Sequence, residues 1–151
     1  MRKIIKQKDL PHSPSQLFEL VADIDRYHEF LPWCLHSRTW HHAKDSCRAE
    51  LAVGNRFIQQ SYISDVHFEP PNLINVALVS GPLRAMENRW RFEPRPDGHC
   101  RVDFYLAFEL QSSLLSGVMN RLFAHAFDHM MAAFEKRARA LYQTAPDSKT
   151  S

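Results

Sequence analysis

The sequence predicts an α+β domain: a curved antiparallel sheet of six or seven strands wrapped around one long C-terminal helix, with two short helices after the first strand. Three observations carry that prediction. The stretch CRVDFYLAFEL, Cys100–Leu110, alternates without a break. Cys100, Val102, Phe104, Leu106, Phe108 and Leu110 share one face, and Arg101, Asp103, Tyr105, Ala107 and Glu109 share the other. Such alternation marks an antiparallel strand with one covered face. From about Leu114 to Tyr142 the apolar period becomes helical, running through Val118, Met119, Leu122, Phe123, Phe127, Met130, Phe134 and Ala138, and this gives about 45 Å of helix. Between Leu35 and Leu110 the chain breaks into β-type runs separated by turn residues. A sheet with one apolar face must cover it, and the C-terminal helix is the element large enough to do so.

The elements follow in order. Residues 3 to 10 form a first strand with Ile4, Ile5 and Leu10 as apolar points. In HSPSQLFELV, Ser13 suits an N-cap, Pro14 the first helical position, and Gln16 completes a capping box, so a helix runs from Pro14 to about Val21. ADIDRYHEFLP adds a second short helical turn, capped by Asp23 or Asp25 and stopped near Pro32. SRTWHHA and CRAELAV make a hairpin around KDS, and Gly54-Asn55 makes the next turn. RFIQQSYISDVHF ends before Pro70-Pro71, NLINVALVS ends at Gly81-Pro82, and MENRWRFEP ends before the turn tripeptide Pro96–Gly98. The predicted single domain covers 1–143, and the polar tail 144–151 is expected to be disordered.

Composition narrows the function. Hydrophobic residues make up 44% and charged residues 24%, a globular balance that argues against disorder as the main state. A formal charge of +2 is too small to argue for a DNA partner. Three cysteines, Cys34, Cys47 and Cys100, form an odd set without zinc-pair spacing, which points to buried thiols in a reducing cytoplasm. MRKIIKQKDL lacks the apolar core of a signal peptide, and no apolar window is long enough to cross a membrane.

No motif supports catalysis. His125 and His129 lie four apart on the helix, yet no third ligand is placed by sequence and HExxH is absent, so no metal site is predicted. His41 and His42 alternate across a strand, a poor ligand pair. His28 reads as exposed. Four glycines make no phosphate loop, and GxSxG does not occur. Cys34 has His28 and His36 nearby in sequence but no group that organises a thiolate. Asp23 and Asp25 read as caps rather than a catalytic pair. The chain is therefore read as a non-enzyme with no catalytic residues and no catalytic cofactor.

Two apolar features remain. On the helix, Met119, Phe123, Phe127, Met130 and Phe134 form one wall, facing Phe104 and Phe108 of the last strand. Core packing accounts for such a face, but methionine beside phenylalanine also suits a surface that repacks around a lipid. The second feature is YHEFLPWCLHS, where Phe30, Leu31 and Trp33 crowd around Pro32 in a segment too broken for a strand. It reads as either a plug over the core or a lid at a cavity mouth.

Taken together, LFELVADIDRYHEFLPWC, SGPLRAMENRWRFEP, CRVDFYLAFEL and MMAAFEKRARALY resemble the coenzyme Q-binding protein family over about residues 3 to 142. That family includes the bacterial ribosome-association toxins and lies in the START-like polyketide cyclase/dehydrase superfamily. The resemblance implies a START-like helix-grip fold and a hydrophobic tunnel that binds the tail of ubiquinone, as a quinone chaperone or carrier supporting respiration. It carries a ligand-contacting role onto Phe30, Leu31, Pro32, Trp33, Trp90 and Phe92, and a turn role onto Gly81 and Pro82. Where the family's turn commonly reads DGPF, Ser80 and Leu83 flank Gly81-Pro82 here, and Asn88 stands where a glycine is common. The toxin branch implies a different partner, the large ribosomal subunit, with subunit association blocked. Arg121, Lys136, Arg137 and Arg139 are the cations for such a contact. A third reading is a polyketide cyclase-like enzyme. The quinone reading implies a cytoplasmic protein with transient contact at the inner membrane surface.

Overall fold

A computed structural model describes residues 2–54, 59–110 and 116–142, with the side chains of 110 and 116–128 outside that description. The order is β1 (Arg2–Leu10), α1 (Pro14–Ala22), a 3₁₀ helix (Ile24–Glu29), β2 (Cys34–Ala43), β3 (Ser46–Gly54), β4 (Gln59–Glu69), β5 (Leu73–Ser80), β6 (Leu83–Pro94), β7 (Cys100–Leu110) and α2 (Ser116–Tyr142). The seven strands form one antiparallel sheet in the order β1-β7-β6-β5-β4-β3-β2. The expected fold is the observed one. Ser112 and Ser113, expected near the α2 cap, lie outside the described residues, as do Asn55 of the expected turn and the tail 144–151.

The topology sets where the helices go. β1 and β2 are consecutive in the chain but sit at opposite edges of the sheet. Their connection must therefore cross the sheet opening, and α1 with the 3₁₀ helix makes that crossing. α1 starts at the predicted capping box: Gln16 N–H donates to Ser13 Oγ at 3.1 Å and Ser13 N–H donates to Gln16 Oε1 at 3.0 Å. The helix buries Leu17, Phe18, Leu20 and Val21, a 3–4 spacing that makes one apolar stripe. Phe18 meets Phe92 and Phe68 edge-on, with centroids 5.9 and 6.1 Å apart.

The 3₁₀ helix departs from the sequence reading at its caps. Asp23 occupies the cap position without a side-chain capping bond, its carboxylate pairing with Arg26 at 3.3 Å instead. Asp25 is used elsewhere. Its Oδ1 accepts Thr39 N–H and its Oδ2 accepts the Thr39 hydroxyl, both at 2.8 Å. Asp25 thus covers part of the exposed backbone of β2, an edge strand. The opposite edge is handled by charge. Register with β7 puts Arg2, Lys6 and Lys8 on the same side as Phe108, Phe104 and Val102. Lys8 then reaches Glu135 of α2 at 2.8 Å.

The concave face carries the core: Ala49, Leu51, Val66, Ile74, Trp90, Phe92, Val102, Phe104 and Phe108 from the sheet are buried, and Met130, Phe134 and Ala138 of α2 are buried too. Ala107, on the opposite face of β7, is only 2% exposed. It is flanked in register by Lys3 and Glu87, longer side chains than its methyl. The end of α2 is tied back to α1, with Tyr142 Oη donating to Gln16 O at 3.0 Å.

Antiparallel order gathers one set of connections at one end of the sheet. The segment 30–33, the end of β3, the Gly81-Pro82 turn and the end of β7 all lie there. Gly81 is required by that packing. Its φ is +146°, and a Cβ built on it would lie 2.6 Å from Tyr62 Cβ. Gly81→Ala is expected to cost about 1–3 kcal/mol of stability, read as a lower urea midpoint with unchanged slope. A midpoint equal to wild type would show that the turn relaxes freely.

Candidate functional site

The site is built from rings. Trp90 lies at the centre of the concave face. Phe104 meets it edge-on at 4.8 Å, Phe92 stacks along it at 6.3 Å, and Phe134 of α2 meets it at 5.4 Å. Phe134 then contacts Phe30 at 5.2 Å and Tyr27 at 5.5 Å, and those two meet at 6.2 Å. An aromatic path therefore runs from the sheet, through one helix residue, to the 30–33 segment. Tilted contacts of this kind suit the ring quadrupoles.

Polar tips along the path are accounted for with one exception. Trp90 Nε1 donates to Asn88 Oδ1 at 3.1 Å, and Asn88 Nδ2 donates to Tyr105 O at 2.9 Å. Asn88, the departure from glycine, thus supplies the acceptor that the buried indole needs. Tyr27 Oη donates to Val21 O. Burial first, and then Tyr62, Cys34 and Asp23, push the Tyr27 hydroxyl well above its ordinary range. Burial likewise raises the Tyr62 hydroxyl, so both phenols stay protonated. The exception is Trp33, whose Nε1 is buried with no acceptor among the described residues.

The predicted residues divide accordingly. Leu31 is 2% exposed and plugs the core, Phe30 and Trp33 are half-buried, and Pro32 is exposed. Trp90, Phe92, Phe104, Phe108, Met130 and Phe134 are buried together. Met119, Phe123 and Phe127 fall on α2 where side chains lie outside the described residues. A small, partly open void of about 20 Å³ lies between sheet and helices, lined by apolar groups that include Leu17 and Val21 of α1 with Trp90, Phe92, Val102 and Phe134. It has room for a water-sized sphere and no more. Sequence reasoning missed the α1 wall, although the Leu17, Leu20, Val21 spacing announced an inward face. It also missed Tyr27.

Arg137 has an internal use. Its Nη2 pairs with Glu29 Oε1 at 2.9 Å, and its guanidinium lies 5.0 Å from the Phe30 ring centre. It clamps the 30–33 segment to α2. Lys136 and Arg139 are exposed, and Arg121 lies outside the described side chains. His28 is exposed and lies against Ser37, with Nδ1 and Ser37 Oγ 3.1 Å apart. The cysteines are free and buried. Burial pushes the Cys34 and Cys100 thiols up to about 11, which leaves them as poor nucleophiles. Among the described residues no three His, Cys, Asp or Glu groups gather as metal ligands, and no helix is long and apolar enough to cross a membrane. The side chain of His125, one half of the His125–His129 pair, lies outside them.

Residues 10–135 match the family described as polyketide cyclase / dehydrase and lipid transport. The chain belongs to that family. It is 34% identical over 142 residues to the mitochondrial coenzyme Q-binding protein COQ10 homolog B of Xenopus laevis, covering 91% of this chain and 58% of the frog protein. It is 32% identical over 133 residues to the ribosome association toxin RatA of Pseudomonas aeruginosa, covering 88% and 92%. A START superfamily protein from Mycobacterium smegmatis superposes with a TM-score of 0.79 at 17% identity, covering 92% and 98%, which shows the START-like fold.

The aromatic path gives a graded expectation. Phe134→Ala removes the ring that joins Trp90 to Phe30 and Tyr27, and should cost about 3–5 kcal/mol in urea denaturation. Arg137→Met keeps the stem and loses a partly exposed ion pair, and should cost about 1 kcal/mol or less. Equal losses in the two variants would show that Phe134 is not the link between sheet and segment 30–33.

Proposed function

We propose that the protein binds an isoprenoid lipid of the ubiquinone type between the concave sheet face and α2, as a carrier or chaperone rather than a catalyst. The observation that carries this reading is the unbroken apolar and aromatic path from Trp90 through Phe134 to Phe30, in a chain similar over most of its length to a coenzyme Q-binding protein. Burial of a tail supplies the affinity, at about 0.8 kcal/mol for each CH₂ removed from water. The lining of the void offers no acid, base or nucleophile among the described residues, which favours binding over a cyclase chemistry. A void of about 20 Å³ cannot hold a quinone ring. Entry on this reading therefore requires the 30–33 segment to move, with the exposed Pro32 side meeting a membrane surface transiently.

Solvent extraction of the protein purified from a ubiquinone-producing host, followed by mass spectrometry, should find an isoprenoid quinone. Failure to find a bound isoprenoid, together with no uptake of ubiquinone added in vesicles, would overturn the reading.

One observation favours a second function: the similarity to RatA covers 92% of that toxin. On this reading the protein binds the large ribosomal subunit and blocks subunit association. Exposed Lys136 and Arg139 are available for phosphates, while Arg137 is engaged with Glu29. Co-sedimentation with large subunits should be strong at low salt and fall as salt rises. No co-sedimentation at low salt excludes it.

A further inference from the structure

Trp33 carries a polar group that no described residue satisfies. Its Nε1–H is out of reach of solvent and finds no acceptor among the described residues. The other buried side-chain atoms in that condition, Arg101 Nε, Asp103 Oδ1 and Arg137 Nε, belong to groups already ion-paired. Trp33 has no such compensation. A buried donor without an acceptor bears its whole desolvation cost, which is why such groups are rare and call for an explanation. The fold supplies an acceptor to an indole where the core needs one, as Asn88 does for Trp90.

The position is not loose. Trp33 O accepts Gly54 N–H at 2.9 Å, and Leu31 O accepts Cys34 N–H at 3.0 Å. The main chain on either side of the indole is thus pinned to β3 and to the preceding turn. Trp33 stands at the end of the sheet where the connections gather, two residues past Leu31 and three past Phe30. The aromatic path to Phe134 and Trp90 begins at that same Phe30.

We propose that Trp33 Nε1 donates to a carbonyl oxygen of the bound lipid, so that the head group lies at the mouth and the tail runs inward along Phe30, Phe134 and Trp90. This rests on the lipid-binding reading of the same cavity, and adds the chemistry and direction of the head. An indole N–H can only donate, so its partner must be an acceptor. The acceptor must also be uncharged. A carboxylate or phosphate head would need a cation to offset its desolvation, and among the described residues Arg137, the cation placed against this segment, already holds Glu29 and covers Phe30. A ketone or quinone carbonyl meets both conditions.

The test uses the full-length protein labelled with nitrogen-15, titrated with a short-tailed ubiquinone and separately with squalene, an isoprenoid hydrocarbon without an acceptor. The chain has three tryptophans, and Trp33→Phe assigns the Trp33 indole signal. Ubiquinone should move that signal downfield, and squalene should not. Trp33→Phe should weaken ubiquinone binding about three- to tenfold more than it weakens squalene binding, the worth of one hydrogen bond. Retained squalene binding also reports that the variant is folded. If it does not fold, the wild-type titration, with its indole signals assigned directly, decides alone. An unmoved Trp33 signal on saturation with ubiquinone, or an equal loss of both ligands in Trp33→Phe, overturns the donor role and leaves lipid binding standing. Binding of neither ligand by the wild type overturns the lipid reading, and the donor role with it.

Discussion

The contact of Phe134 with Trp90 on one side and with Phe30 and Tyr27 on the other is the junction on which the rest of the structure depends. A single antiparallel sheet cannot stand with a bare apolar face. α2 covers that face, and Phe134 is where the cover meets both the sheet and the segment that leads into β2. The rings that meet there come from three parts of the chain far apart in sequence. Loss of the Phe134 ring would open a void beside the other two, and a close-packed interior relaxes only partly around such a gap.

Connectivity explains why the junction is needed there. Consecutive strands at opposite sheet edges force a crossing segment over the open side. α1 buries four apolar residues against the sheet and stabilises its half of the crossing. The 3₁₀ helix fully buries only Ile24, with Tyr27 half-buried against Phe134. It is held instead by specific bonds: Asp25 to Thr39, Ser37 Oγ to Asp25 O at 3.2 Å, and Glu29 to Arg137. The Asp25–Thr39 bonds also shield the edge of β2 from pairing with another chain, while inward charges on β1 guard the other edge. Crossing and edge protection are one arrangement.

The parts of this fold that local pattern determines were legible in the sequence. The alternation at Cys100–Leu110 matches β7 residue for residue, and the Ser13-Pro14-Gln16 signature marks the start of α1 because capping involves only neighbours in the chain. The roles that depend on distant partners were not legible. Asp25 looks like a cap because carboxylates before apolar runs usually are, yet its partner Thr39 lies fourteen residues on. Arg137 looks like a surface cation because its partner Glu29 is 108 residues away. The candidate lining was legible as a set of apolar residues on the right faces. The size of the space between them was not, since it depends on how closely rings from separate elements pack.

That packing bears on how any lipid enters. The interior around Trp90, Phe92 and Phe104 is closed from both sheet and helix, and opening it would expose several fully buried rings at once. The mouth is easier to open. Phe30 is half-buried, Pro32 already faces solvent, and the ion pair that clamps the segment is partly exposed, with Glu29 at 37% and Arg137 at 25%. A pair with that exposure contributes little to stability, so the 30–33 segment is the part of the wall that yields first. The apolar surface of the tail would then cover the faces of Phe30 and Phe134 that the movement uncovers. The net cost of opening falls as the tail lengthens, because each added methylene gains burial while the segment has to move only once.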